Sequence, residues 1–272
     1  REKIIIIDGS SYFFRAYYAI QRLSNSKGFP TNAIYGFIQM LQRVLDVEKP
    51  TKLAIAFDTG KPGFRKDLYS EYKSNREAPP KDLVIQIPHI LRAVDCFGVK
   101  RLEMPGYEAD DIIGTLARKA QSDYDVDIIT GDKDLMQLVN QAVTVYDSMR
   151  DKRYDIKGVE EKLGVGPEQV VDFLALMGDS SDNIPGVTGI GEKTASELIR
   201  QFGSLDGIYA RLDEIKQEKR RETLKEEKEI AYLSQKLATV ACDVPVEIVW
   251  DEFKYDGPRL DALREFLEEM EF

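Results

Sequence analysis

"IIIID", residues 4–8, sets four β-branched side chains in a row and ends them with an acid. A strand with one wet face alternates apolar and polar residues. An unbroken apolar run suits a strand covered on both faces, as in a parallel sheet. The form recurs along the chain. "LAIAFD" carries Leu53–Phe57 into Asp58, "VDIITGDKD" carries Val126–Thr130 into Asp132 and Asp134, and "VTVYD" carries Val143–Tyr146 into Asp147. Helix-like stretches lie between them, among them Thr31–Val47 and Asp110–Ala120. Strands alternating with helices predict an α/β fold with a mostly parallel central sheet and flanking helices. Ligands in such sheets sit at the carboxyl ends of the strands, where Asp8, Asp58, Asp132 and Asp134 fall.

The bulk numbers narrow the class. The chain has 272 residues, 43% of them hydrophobic, enough for one sizeable α/β domain with a smaller companion. No apolar run approaches the roughly 20 residues of a membrane span. Two cysteines, Cys96 and Cys242, suit a reducing cytoplasm better than a disulfide scaffold, and with the single His89 they build no zinc site. The net charge of −10 argues against a nucleic-acid partner if the acids are evenly spread.

They are not. "GYEADD" places Glu108, Asp110 and Asp111 at a helix start, more than a helix dipole calls for. "MGDSSDN" adds Asp179 and Asp182. With the strand-end acids they make nine: Asp8, Asp58, Glu108, Asp110, Asp111, Asp132, Asp134, Asp179 and Asp182. Two like charges about 4 Å apart repel by roughly 4 kcal/mol at an effective dielectric of 20. A convergent cluster therefore requires cations, and all-oxygen ligands favour Mg²⁺ or Mn²⁺. Nine acids exceed what one Mg²⁺ takes, so two ions are expected, the usual device for in-line attack on a phosphodiester. Setting the nine aside leaves the rest of the chain at −1.

The expected domains are an α/β core over 1–157 and a helical region over 158–272. "PEQVVDFLALMG" reads as a helix stopped by Gly178, and "EKTASELIRQFG" as one stopped by Gly203. Glu214–Glu229 holds acids and bases in equal number and reads as a solvated helix face. Between the two helices lies "IPGVTGIGEKTA", which resembles a helix-hairpin-helix over about 184–199. Gly186, Gly189 and Gly191 would let backbone N–H groups reach a phosphate at a helix start, with Lys193 and Thr194 beside it. A Walker P-loop is excluded, because Glu192 stands where its lysine belongs and no strand precedes it. "KPGFRKDLYSEYKSNREAPPK", residues 61–81, is locally basic with Tyr69 and Tyr72 interleaved. Over about 61–95 it is expected to form an arch above a polyanion.

Taken in order, "IDGSSYFFRAYYA", "FD", "FRKDLYSEYKSNR", "GYEADDIIGTLA", "TGDKDLMQLV" and "FLALMGDSSDNIPGVTGIGEKTA" closely resemble the 5′-nuclease domain of bacterial DNA polymerase I, within the flap endonuclease superfamily. The resemblance implies a PIN-like core with a helical arch and a 5′–3′ exonuclease and 5′-flap endonuclease for primer removal and repair. It also implies two Mg²⁺ or Mn²⁺ ions, with a monovalent cation at the helix-hairpin-helix. By the same resemblance Asp8, Asp58, Glu108 and Asp110 would lie nearer one ion, and Asp111, Asp132, Asp134, Asp179 and Asp182 nearer the other. Asp58 and Asp110 then serve catalysis together with Lys73 and Arg76, arch residues that draw in the scissile phosphate. Phe14 and Tyr72 are implied as stacking platforms, and Arg15 as a basic residue near the site. Flapped or branched DNA and RNA–DNA primer junctions are the implied partners. A polymerase region following, a monomeric state and a cytoplasmic location are expected with them.

Three alternatives compete, one of them a small RNA nuclease with a four-acid site, which would lack the helix-hairpin-helix. A dehalogenase-type phosphatase needs a second Asp two residues past the first, where Ser10 stands. A non-catalytic junction-binding module would have lost acids, and none is lost here.

Overall fold

The computed structural model describes residues 1–272. The strands are β1 (Lys3–Asp8), β2 (Lys52–Ala56), β3 (Lys100–Leu102), β4 (Asp125–Ile129), β5 (Val143–Asp147) and β6 (Lys152–Tyr154). They form one sheet in the order β3-β2-β1-β4-β5-β6, parallel throughout except for β6, which runs antiparallel to β5. The four strands foreseen from the apolar runs are β1, β2, β4 and β5. The short β3 and β6 were not foreseen.

β1 lies at the centre, and its four isoleucines show why its run does not alternate. Ile4 and Ile6 belong to one hydrophobic core, and Ile5 and Ile7 to the other. Successive side chains point to opposite faces, so a strand with a core on each side must be apolar at every position. The Ile5/Ile7 face is covered by α1 (Gly9–Ala19), α2 (Asn32–Glu48) and α5 (Ile87–Cys96). The opposite face is covered by α6 (Ala109–Ala120) and the helices that follow.

Between β2 and α5 the chain forms only α3 (Phe64–Leu68) and α4 (Lys81–Val84). The expected helical arch is therefore not a continuous helix in its first half. Pro79 and Pro80 lack the N–H a helix needs, and Lys73 takes a left-handed φ of 56° that breaks any run through it. Residues 69–76 form turns that lie down on the loop after Met177. The Lys73 N–H donates to the Asp182 carbonyl (2.8 Å), and the Asn75 amide donates to the Ser180 carbonyl (2.7 Å).

The second region contains α7 (Ile156–Leu163), α8 (Val170–Met177), α9 (Glu192–Phe202), α10 (Leu205–Ala210), α11 (Glu218–Glu226) and α12 (Lys228–Ala238). α8 packs on α9 and α12, and shares the larger core with the sheet. The chain then turns back. Lys254 bridges to Lys52 of β2, and α13 (Leu260–Met270) packs on α5, with Phe266 and Met270 in the Ile5/Ile7 core. Residues beyond about 250 thus cover the α/β layer rather than extend the helical one. No helix is long and apolar enough to cross a membrane.

Candidate metal centre and nucleic-acid cleft

Asp8 and Asp58 are held by residues just past neighbouring strands, and Asp132 by its own turn. Asp8 ends β1, and the Thr130 hydroxyl just past β4 donates to its Oδ2 (2.8 Å). Asp58 lies just past β2, its N–H donating to Ser10 Oγ (2.8 Å) and its Oδ1 accepting the Ala109 N–H at the start of α6 (2.6 Å). Asp132 caps the short 3₁₀ turn Lys133–Leu138 by accepting the Asp134 N–H (2.9 Å). Asp8, Asp58, Glu108, Asp110, Asp132 and Asp182 line one cleft of about 710 Å³. Carboxylate oxygens of Asp134, Asp179 and Asp182 lie within 4.8 Å of one another beside it.

The electrostatics of these acids agree with their crowding. Burial raises Asp8 to about 7, with repulsion from Asp132 and Asp58 adding to it and the Thr130 bond opposing. Burial and neighbouring carboxylates push Asp110 and Asp134 well above the usual range. Asp58, Asp132 and Asp182 are also raised, chiefly by burial. Asp134 Oδ1 is fully buried with no hydrogen-bond partner, and it is the only such side-chain atom in the protein. A buried acceptor without a donor is costly, and a hard cation is the partner that an all-carboxylate surround admits. The residues present therefore fit divalent metal.

Glu108 is the exception in charge. Burial alone would raise it, but Lys73 and Arg65 hold it below the ordinary range. Lys73 pairs with its Oε1, Arg65 Nη1 donates to Oε2 (2.6 Å), and the Tyr72 hydroxyl donates to Oε2 (3.0 Å). Arg76 reaches the other side of the cleft, donating to Asp182 Oδ1 (2.5 Å) and to the Ser181 carbonyl (3.1 Å). Asp111 stands apart from the other eight acids. It is fully buried, and it belongs neither to the cleft lining nor to the Asp134/Asp179/Asp182 group.

Residues 3–164 match the model of the 5′–3′ exonuclease N-terminal resolvase-like domain, and residues 165–261 match that of the 5′–3′ exonuclease C-terminal SAM fold. The chain belongs to the 5′–3′ exonuclease family. It is 44% identical to DNA polymerase I of Bacillus caldotenax over all of its own length, and 44% identical to that of Bacillus subtilis over 94% of it. It spans about a third of these relatives (32% and 30%). Among solved structures, the T5 D15 protein co-crystallised with metal ions superposes with a TM-score of 0.73 at 25% identity, covering 99% of this chain and 98% of that one. The T5 5′-exonuclease with bound zinc gives 0.72 at 26%, with the same coverage. The catalytic core of Rad2 in complex with DNA substrate shares the fold alone, with a TM-score of 0.66 at 19% identity over 99% of this chain and 88% of its own. The fold and family expected from the motifs are thereby borne out.

Around the acidic centre of this exonuclease the expected nucleic-acid residues fare differently. Phe14, on α1, lines the cleft and is 37% exposed, so it is not core. Tyr72 is buried with its hydroxyl on Glu108, which removes it as a stacking surface. Tyr18, one helical turn beyond Phe14, also lines the cleft and is 71% exposed. Its position four residues on from Phe14 was a readable sign. Arg15 pairs with buried Asp147 (3.7 Å) and lies against Gly131, where a Cβ would meet its guanidinium at 2.0 Å.

In the hairpin after α8, Gly186 faces inward. Its N–H donates to Ser234 Oγ on α12 (3.0 Å), so that group is not free for a phosphate. Gly189, Gly191 and Lys193 are exposed around the start of α9, and Thr194 is half-buried. Arg65 is the residue the sequence reading missed. It lies inside the basic segment, and nothing in its spacing separates it from Lys66.

Proposed function

We propose that this exonuclease chain hydrolyses phosphodiesters near single-strand/duplex junctions, as a 5′–3′ exonuclease and 5′-flap endonuclease. The observation that carries this reading is the convergence of acids without matching bases. Asp8, Asp110, Asp132 and Asp134 share no salt bridge with any lysine or arginine, while burial and neighbouring carboxylates raise all four. Asp8, Asp58, Glu108, Asp110, Asp132, Asp134, Asp179 and Asp182 would hold two divalent ions, Mg²⁺ or Mn²⁺. Bound there, such ions supply an activated water and neutralise charge on the phosphate. The chain's own residues do the rest. Lys73 and Arg76 already lie over the acids and would trade Glu108 and Asp182 for phosphate oxygens. Phe14 and Tyr18 would stack the bases beside the cut. Exposed N–H groups at the start of α9, with Lys193 and Thr194, would grip duplex phosphate without reading sequence. A monovalent cation at that hairpin belongs to the same reading.

The proposed substrates are flapped or branched DNA and RNA–DNA primer junctions. A polymerase region following in the same chain, action as a monomer, and a cytoplasmic setting in which Cys96 and Cys242 stay free complete the proposal. A gel assay on a 5′-labelled flap duplex, with Mg²⁺ and with excess chelator, tests it. A released fragment about the length of the flap, seen only with metal, is the expected result. Binding without cutting, with Mg²⁺ and Mn²⁺ both supplied, would instead favour the non-catalytic junction binder.

A further inference from the structure

We propose that Asp111 is not a metal ligand but the counter-ion of Arg65, and that Arg65 is a positioning residue holding Glu108 in the cleft and tying it to the end of α12. The proposal rests on the two-metal reading above and assigns within it which acids belong to the ions.

Both carboxylate oxygens of Asp111 are taken by donors. Its Oδ1 accepts from Arg65 Nη2 (2.8 Å) and from the Ala241 N–H (2.8 Å). Its Oδ2 accepts from Arg65 Nη1 (2.9 Å) and from the Glu108 N–H (3.1 Å). A carboxylate has about four lone-pair sites, so none is left for an ion. Asp111 is 0% exposed, whereas its neighbour Asp110 faces the cleft. Successive helical residues point about 100° apart, so two adjacent acids in the first turn of α6 cannot both face one centre. One takes the cleft, and the other closes a capping box with Glu108.

Arg65 is filled in the same way. Nε donates to the Leu237 carbonyl (2.9 Å), Nη1 to Glu108 Oε2 (2.6 Å) and Asp111 Oδ2 (2.9 Å), and Nη2 to Asp111 Oδ1 (2.8 Å) and the Thr239 carbonyl (2.7 Å). A guanidinium has five donors, and all five are used. Three separate parts of the chain meet on one planar group that is 5% exposed: α3, the start of α6 and the end of α12. A carboxylate that holds a metal is commonly oriented by a hydrogen bond to its second oxygen. Arg65 makes that bond to Glu108, and Asp111 makes Arg65 tolerable in the interior by offsetting its charge.

Metal binding measured without DNA tests the assignment. Mn²⁺ is titrated calorimetrically into the whole chain and into Asp110→Asn, Asp111→Asn, Arg65→Met and Arg65→Lys. Each is held well below its own melting temperature, with circular dichroism confirming the fold. Asp111→Asn is expected to keep the wild-type number of ions and to lower the melting temperature. Asp110→Asn is expected to lose an ion or weaken it. Arg65→Met, which removes no ligand, is expected to weaken Mn²⁺ about tenfold or more, with partial recovery in Arg65→Lys. Loss of an ion in Asp111→Asn to the degree seen in Asp110→Asn would overturn the counter-ion assignment. Unaltered affinity in a folded Arg65→Met would overturn the positioning role. A wild-type chain that binds no Mn²⁺ would refute the two-metal reading instead. If Asp111→Asn does not fold, the Arg65 variants still decide the second half. Asp111→Glu, which keeps the charge on a longer arm, then decides the first by its ion count.

Discussion

Asp58 accepts the Ala109 N–H through Oδ1, and an asparagine keeps that acceptor while losing the charge. Asp58→Asn is therefore expected to leave the start of α6 in place and junction binding near wild type. Cleavage should fall by about a thousandfold, or roughly 4 kcal/mol in the barrier. Single-turnover rates and gel-shift affinities measured side by side check this, and equal losses in both would make Asp58 a fold or grip residue. Lys73→Ala belongs to the same scale. Its ammonium pairs with Glu108 and faces the cleft, so cleavage should slow far more than duplex affinity weakens. A matching loss of affinity would reduce it to an ordinary phosphate contact. Asp8, Asp58, Asp132 and Asp134 were legible as a group because strand ends in a parallel sheet meet at one edge, and the acids of "GYEADD" and "MGDSSDN" were legible by their density. Asp111 lies away from the cleft that Asp110 lines, and a sequence shows that two acids adjoin but not which way the helix turns them. Arg65 was invisible, since its partners lie 43, 46, 172 and 174 residues away.

At the scale of elements, the hairpin between α8 and α9 offers the sharpest test. Gly186 has a φ of 65°, and a Cβ there would stand 2.5 Å from the Gly178 N. The Gly178 Cα and the Met177 carbonyl carbon follow at 2.7 and 2.8 Å, and none of these is a side chain that can move aside. Gly186→Ala is expected to cost about 2–4 kcal/mol and to lower the melting temperature by several degrees. A melting curve unchanged within a degree would show that the turn relaxes freely. The readable elements were those whose burial is symmetrical or whose ends carry glycine. β1, β2, β4 and β5 show unbroken apolar runs, and α8 and α9 stop at Gly178 and Gly203 as their sequences suggest. β3 and β6 escaped because three-residue edge strands reading Lys-Arg-Leu and Lys-Arg-Tyr carry no pattern. The arch misled for a different reason. Its composition permits helix, but its prolines and the pairing of Lys73 and Arg76 with acids far along the chain set a turn instead.

For the whole molecule, the raised acids set how stability follows pH. Asp8 titrates near 7 in the folded chain and near its ordinary 3.8 once unfolded. Between those values the native state holds a proton that the unfolded state has lost. Stability from this group is thus lost as pH rises through the window, and the loss is complete above about 7. Asp110 and Asp134 act with the same sign. Glu108 is held low and has the opposite sign, so its contribution is lost as pH falls below the ordinary carboxylate range. Metal bound there would take the place of those protons. The rise in melting temperature on adding Mg²⁺ is accordingly expected to be larger at about pH 8 than at about pH 5.5. A rise equal at both, followed by calorimetry, would place the ions elsewhere.

The order of strands in the sheet also governs when the centre can exist. β1 is made first but pairs with β4, more than a hundred residues later, and closing so long a loop is slow compared with forming local helices. Asp8 leaves the ribosome early, Asp132 and Asp134 follow mid-chain, and Asp179 and Asp182 come later still. The carbonyls of Leu237 and Thr239 that anchor Arg65 come last of all. A nascent chain that ends before about residue 240 lacks the carbonyls that anchor Arg65 beside Glu108. The cutting proposed for this centre is therefore expected only from a chain made past that point, and one stopped short is expected to leave nucleic acid intact.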